Sequence, residues 1–101
     1  MIIQIKCIKR SSGIYEGRPY DNTLVYGFVH NSQNKQVLAG NEIELCKFKT
    51  EVFSAALDRQ SDIAPNVAAL IDKQMMPVYN KFGGCDDFIL QADTSTDKKK
   101  Q

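Results

Sequence analysis

Hydrophobic and polar positions alternate through much of the first half of the chain, and this pattern predicts β-strands near residues 2–9, 23–30 and 36–48. The first two runs are rich in β-branched side chains, and the second also contains aromatic ones. Gly40-Asn41 interrupts the third run and predicts a bulge or a turn, which would divide it into strands at 35–39 and 42–48. Since no helical pattern separates the first strands, an antiparallel sheet is expected.

Apolar positions in the second half recur mostly at intervals of three and four residues, and this spacing predicts two helices. The first is expected over residues 50–60, with Thr50 as its cap. The second is expected to run from about residue 62 to residue 82, with Pro77 kinking or interrupting it. A last short strand is expected over residues 85–90.

The order of these patterns predicts an α+β fold, because strands come first, then helices, then one closing strand. We expect a five-stranded, strongly curved antiparallel sheet or barrel with two helices. This single domain would span residues 1–91, and residues 92–101 would form a disordered polar tail.

Composition and cysteine usage narrow the class of protein. The chain has 101 residues, of which 43% are hydrophobic and 25% charged, as in an ordinary soluble domain. No apolar run approaches the roughly 20 residues needed to span a bilayer, and the amino terminus lacks the pattern of a secretory signal. Cys7, Cys46 and Cys85 fit no common metal spacing. We therefore expect a reduced, cytoplasmic protein with no membrane partner, no metal and no other cofactor.

The segment 12–20 contains two glycines and a proline, which predicts a turn-rich loop between the first two strands. Tyr15, Arg18 and Tyr20 would then lie within reach of solvent. Aromatic rings beside a fixed positive charge suit a planar, anionic ligand, and the bases of single-stranded nucleic acid are the leading candidate. The alternative is that the tyrosines fold back onto the core.

Basic and aromatic residues also interleave on the predicted strands. Lys47 and Lys49 share one face of a strand, whereas Phe48 takes the other. The lysine face would form the floor of a binding groove, or the lysines would simply be solvated over a core phenylalanine. Tyr26 and Phe28 share a face that is either core or stacking platform. The candidate nucleic-acid-binding residues on the strands are Lys6, Arg10, Tyr26, Lys47 and Lys49.

Charge is distributed unevenly along the chain, although the formal net charge is only +1. Residues 1–50 hold seven Lys or Arg against four Asp or Glu, whereas residues 51–97 hold three against eight. A basic first half would follow phosphates, and an acidic second half would turn away from them. Ordinary solvated charge is the alternative reading.

No catalytic constellation is found in the sequence. His30 is the only histidine, and adjacent Asp86 and Asp87 would point to opposite faces of a strand. Motifs typical of phosphate-binding loops, dinucleotide sites and zinc hydrolases are missing. We therefore expect a protein that is not an enzyme.

Gly17-Arg18-Pro19-Tyr20, followed by an aromatic strand over 24–29, resembles the gene V-type single-stranded-DNA-binding proteins of filamentous bacteriophages. The resemblance covers about the first third of the chain. It implies an OB-like barrel with a hairpin wing, and a dimer that coats displaced single strands. By position, it implies a phosphate contact for Arg18 and base stacking for Tyr20.

The leading hypothesis is therefore a sequence-tolerant single-stranded-DNA-binding protein of a phage or other mobile element, acting in DNA replication or transfer as a homodimer. One alternative is an accessory or inhibitory module that uses the hairpin aromatics to contact another protein. A second is a small enzyme subunit whose site is completed by another chain. The nucleic-acid hypothesis predicts affinity that falls steeply with salt, whereas a protein partner predicts weak salt dependence.

Overall fold

Five strands form a closed barrel in the computed structural model, which describes residues 1–91. The elements are β1 (Ile3–Tyr15), β2 (Arg18–Val29), β3 (Ile43–Lys49), α1 (Thr50–Arg59), a 3₁₀ turn (Ala68–Leu70), β4 (Gln74–Tyr79) and β5 (Cys85–Leu90). The order around the barrel is β1-β2-β3-β5-β4, with β4 pairing back to β1. All neighbouring strands are antiparallel except β3 and β5, which are parallel. This arrangement, with one helix between β3 and β4, fits an OB-like barrel.

An aromatic cluster joins the helix to the inside of the barrel. Phe48 of β3, Phe53 of α1 and Phe88 of β5 are buried, with ring centroids 5.5–5.7 Å apart. The Gln60 side chain, just after α1, donates to the Phe88 carbonyl and accepts from the Leu90 N–H. The helix is therefore held against β5 by apolar contact and by hydrogen bonds.

The predicted five-stranded curved sheet, the first helix and the last strand are confirmed. The sheet is not antiparallel throughout as predicted, because β3 and β5 are parallel, and the predicted second helix is wrong. Residues 74–79 form β4, and the side chains of Met75 and Pro77 are buried whereas those of Met76 and Val78 are exposed. Burial therefore alternates with a period of two. Proline has no N–H to donate to a second neighbouring strand. None is needed at Pro77, because β4 pairs with β1 only through Gln74 and Met75.

Two further local predictions are wrong. Residues 35–39 form no strand but belong to a loop held by side-chain hydrogen bonds, in which Glu42 accepts from Ser32 and Asn34. Thr50 does not cap α1; its hydroxyl donates instead to Asp21, 2.7 Å away. The partner of Thr50 is 29 positions away in sequence, so the local pattern does not reveal it.

The segment 12–20, predicted as a loop, is the outer part of the β1–β2 hairpin. A two-residue turn joins the strands, and both of its residues have positive φ, 52° at Glu16 and 77° at Gly17. Such a turn matches the right-handed twist of its strands. Because β3 pairs with β2 only from Asn22 onward, this end of the hairpin is a two-stranded ribbon.

The predicted disordered tail, residues 92–101, lies outside the described residues. Within residues 1–91, no helix has the length and apolar character to cross a membrane.

Candidate nucleic-acid interface

The two faces of β2 differ in burial, and this difference decides where its aromatic residues point. Thr23, Val25 and Gly27 are buried inside the barrel. Tyr26 and Phe28 lie on the opposite, outer face and are partly exposed. Tyr26 and Phe28 therefore lie on the surface and do not belong to the core.

Cross-strand pairing aligns these aromatic residues with basic residues of β1 and β3, since antiparallel partners share a face. The rows are Tyr15–Arg18, Gly13–Tyr20, Ser11–Asn22–Lys49, Lys9–Leu24–Lys47, Cys7–Tyr26–Leu45 and Gln4–Phe28–Ile43. We call these residues the basic-aromatic face. Its cations are Lys9, Arg18, Lys47 and Lys49, and no row contains a carboxylate.

Basic groups on this side of the barrel lie over aromatic rings. The Lys9 ammonium is 5.7 Å from the Tyr26 ring centroid, and the Lys6 ammonium is 5.5 Å from that of Phe28. Ile43 is 62% exposed and Leu45 46% exposed, so the end of the face away from the hairpin turn is apolar and open. Apolar and aromatic side chains next to ammonium groups provide both stacking surface and positive charge.

Most of the residues predicted as binding residues are brought together on this face: Tyr15, Arg18, Tyr20, Tyr26, Lys47 and Lys49. Tyr15 is 70% exposed at the end of the ribbon. Tyr20 lies over Gly13, where an added Cβ would be 3.0 Å from the tyrosine hydroxyl. Gly13 therefore leaves the space in which the ring lies flat along the ribbon.

Arg10 does not belong to this face. A bulge between Ile5 and Cys7 shifts the alternation of β1, and Arg10 is paired with Thr23, whose side chain points inward. The guanidinium donates two hydrogen bonds to Asp21, at 2.8 and 2.5 Å. These bonds and one from Thr50 lower the pKa of Asp21 to about 2. Arg10 thus positions the ribbon relative to the start of α1.

Lys6 lies at the bulge, beside the face, and already has an anionic partner. Its ammonium donates to Asp72 at 2.6 Å. Asp72 has a φ of 71°, and its N–H donates to the Ile5 carbonyl at 2.7 Å. The carboxylate is therefore held beside Lys6 by the backbone, and it would compete with any phosphate for that ammonium.

Glu44 lies between two residues of the face on β3, but its side chain points away from the face. Glu44 of β3 is paired with Gly27, whose position faces inward, and accepts a hydrogen bond from Tyr79 at 2.7 Å. Burial, together with this bond, raises the pKa of Tyr79. In the part of the chain that the structure describes, the salt bridges use Lys6, Arg10 and Arg59, and not the cations of the face.

An open cleft of about 1010 Å³ continues from one side of the face. Its walls are the end of β3 and the turn between β4 and β5, with contributions from Asn22 and Val52. The turn presents Lys81 and Phe82, which the sequence pattern predicts at the end of a helix. A basic-aromatic pair directly before Gly83-Gly84 was the signal that could have identified them.

Comparison of the chain with protein-family models, with curated proteins and with solved structures gave no match. Among residues 1–91, no group of three or more His, Cys, Asp or Glu is placed to hold a metal ion.

Proposed function

We propose that this protein binds single-stranded DNA along the basic-aromatic face, with little sequence preference. The observation that carries the proposal is the register of β1, β2 and β3. It aligns two tyrosines of the hairpin, the Tyr26–Phe28 pair and four cations on one surface without a carboxylate.

The dimensions and chemistry of the face suit an unpaired strand. Tyr20 and Phe28 are eight residues apart on β2, which is about 26 Å at the usual rise of a strand. That length fits several nucleotides, as in other barrels of this kind. In a duplex the base faces are already stacked on one another, whereas in a single strand they are free to stack on side chains. The cations at the borders would follow the phosphates.

The resemblance of residues 17–20 to the gene V-type proteins supports a role in coating displaced single strands during replication or transfer of a phage or other mobile element. The same resemblance supports a homodimer, because two such faces would bind one strand bivalently.

The test is fluorescence anisotropy with a labelled oligothymidine at two salt concentrations. We expect Tyr26→Ala to weaken binding by about 1–3 kcal/mol, the usual value of one stacked base, with an unchanged salt slope. Lys47→Ala should make the slope shallower by about 0.7, because it removes one phosphate contact.

Lys35→Ala is the matched control, since Lys35 is exposed in the β2–β3 loop, outside the face. It should leave the affinity close to that of the parent. The proposal is contradicted if the parent does not bind, or if Tyr26→Ala and Lys47→Ala bind as the parent does. Weak salt dependence with retained binding to a protein would favour an accessory interaction module instead.

A further inference from the structure

We infer that the bound strand continues from the basic-aromatic face into the cleft beside β3, where Phe82 stacks on one of its bases. This inference rests on the proposed function and adds a base-binding position on an element that does not belong to the face. Three observations support it: the exposure of Phe82, the hydrogen bonds that organise its turn, and the charged side chains around the ring.

Phe82 is 84% exposed although its turn is firmly organised. The side-chain oxygen of Asn80 accepts from the N–H groups of Phe82, at 2.8 Å, and Gly84, at 3.2 Å. The Asn80 N–H donates to the Gly84 carbonyl at 2.8 Å, and Gly83 supplies the positive φ of 87°. The turn therefore holds the backbone of Phe82 in a fixed place and leaves its ring open to solvent. With the backbone already ordered, stacking of a ligand has to order only the two side-chain torsions of the ring.

The charges of the cleft favour an anionic strand as the occupant. Lys47 and Lys49 line the cleft from β3, and the Lys81 ammonium lies 5.2 Å from the Phe82 ring centroid. The carboxylate in the lining, Asp86, accepts a hydrogen bond from the Asn80 amide at 3.0 Å. Ammonium groups around one ring are the pattern that binds a base together with its phosphates, and a purely apolar peptide would leave them without partners.

The cleft is also continuous with the face, because Lys47 and Lys49 belong to both. A strand whose phosphates contact these lysines would pass the mouth of the cleft, and Phe82 lines the same cleft. The volume, about 1010 Å³, is at the upper end of small-molecule pockets and the cleft is open, which suits a segment of polymer.

The experiment compares Phe82→Ala with Leu38→Ala, since Leu38 is another isolated apolar side chain, 94% exposed, in the β2–β3 loop. Both are titrated with labelled oligothymidine and with a series in which one abasic nucleotide moves along the strand. For Phe82→Ala we expect a loss of affinity of about fivefold or more, as for one stacked base. The salt slope should stay unchanged, and Leu38→Ala should bind as the parent does.

The abasic series identifies the partner of the ring. In the parent, one abasic position should weaken binding through loss of the stacked base. In Phe82→Ala the same position should have no further effect, because the ring and the base act as a pair. If Phe82→Ala binds every oligonucleotide as the parent does while Tyr26→Ala is weakened, the inference is overturned and the proposed function stands. If the parent binds no oligonucleotide, both are overturned. Thermal unfolding of both variants checks that the fold is intact.

Discussion

Lys6 already has an anionic partner within the protein, Asp72, which would compete with a phosphate for its ammonium group. Its ammonium bonds Asp72 and lies near the Phe28 ring, at the edge of the basic-aromatic face. An exposed ion pair of this kind is typically worth about 0.2–1 kcal/mol. Asp72 therefore restrains a cation that a phosphate would otherwise recruit.

We expect Asp72→Asn to tighten binding of oligothymidine by about two- to fivefold, because Lys6 is released from its carboxylate. The salt slope should become steeper by about 0.7 as Lys6 gains a phosphate contact. Asn tolerates the positive φ at this position, so the fold should be kept. Asp58→Asn, on α1, removes the same charge away from Lys6 and controls for net charge. Equal affinities for the two variants would refute the release of Lys6.

Asp21 controls stability at acid pH. Its pKa is about 2 in the folded protein, through the hydrogen bonds from Arg10 and Thr50, and near 3.8 without them. The unfolded chain therefore binds more protons in this interval, so this contribution to stability is complete above about pH 4 and is lost as the pH falls through 2.

Asp21→Asn should lower stability at neutral pH and flatten the acid limb of the stability profile between pH 4 and pH 2. Chemical unfolding at a series of pH values measures both effects. Glu42, whose pKa is also lowered, by hydrogen bonds from Ser32 and Asn34, should contribute to the acid dependence that remains. A variant profile parallel to that of the parent would show that Asp21 makes no such contribution.

At the scale of elements, the end of the β1–β2 hairpin depends on its turn. Gly17 has a φ of 77° and open space around its Cα, so a side chain there is penalised only by backbone conformation. The ribbon it closes has no third strand, and an isolated pair of strands is marginally stable. Strain at this turn should therefore open the ribbon locally.

We expect Gly17→Val to weaken oligothymidine binding, because Tyr15, Arg18 and Tyr20 lose their fixed positions, while thermal stability changes little. Gly40→Val is the matched control: Gly40 has a φ of 78°, also in open space, but lies in the β2–β3 loop. Comparable loss of affinity in both variants would mean that the ribbon has no special role.

Alternation in the sequence predicts β2 and places Tyr26 and Phe28 on one face of it. It does not show which face is buried, because both faces of the strand carry apolar residues. Gly27 lies on the inward face, where β2 packs closely against β1, its hairpin partner. A Cβ at Gly27 would lie 2.7 Å from the Gln4 carbonyl oxygen, so this side of β2 is pressed against β1. Such a close approach is visible only in three dimensions.

The wrong second helix has a different cause. Met75 and Val78 are three residues apart, which is a helical spacing. In so short an apolar run, however, the pattern fits a strand equally well. The sequence predicts that Pro77 interrupts a helix, whereas Pro77 lies where β4 has no partner on the β1 side. Arg10 was misplaced relative to the face because a bulge changes which residues of β1 point outward, and sequence alternation cannot reveal a bulge.

For the molecule as a whole, the uneven charge of the sequence becomes an asymmetry of the surface. The cations of the basic-aromatic face come from β1, β2 and β3, whereas several exposed carboxylates lie on α1 and in the segment that follows it. Cations concentrated on one face would attract an approaching polyanion to that face before contact.

Homodimerisation stays a prediction, and the outer face of β4 and β5 is where we expect it. Met76 and Ile89 are cross-strand partners there, 37% and 50% exposed. The strand order places them across the barrel from β2, so a symmetric dimer through this patch would leave both basic-aromatic faces open. Sedimentation at micromolar concentration should show a dimer for the parent and a monomer for Ile89→Lys. A monomeric parent would contradict this prediction.

Cys7 makes the occupancy of the face measurable in the unmodified protein. It is an exposed thiol in the row with Tyr26, whereas Cys46 and Cys85 are buried. An alkylating reagent should thus label Cys7 selectively, since access to the thiol controls its reaction. The labelling rate then reports directly whether this surface is covered: a ligand that lies across Tyr26 slows it, and one that binds elsewhere leaves it unchanged.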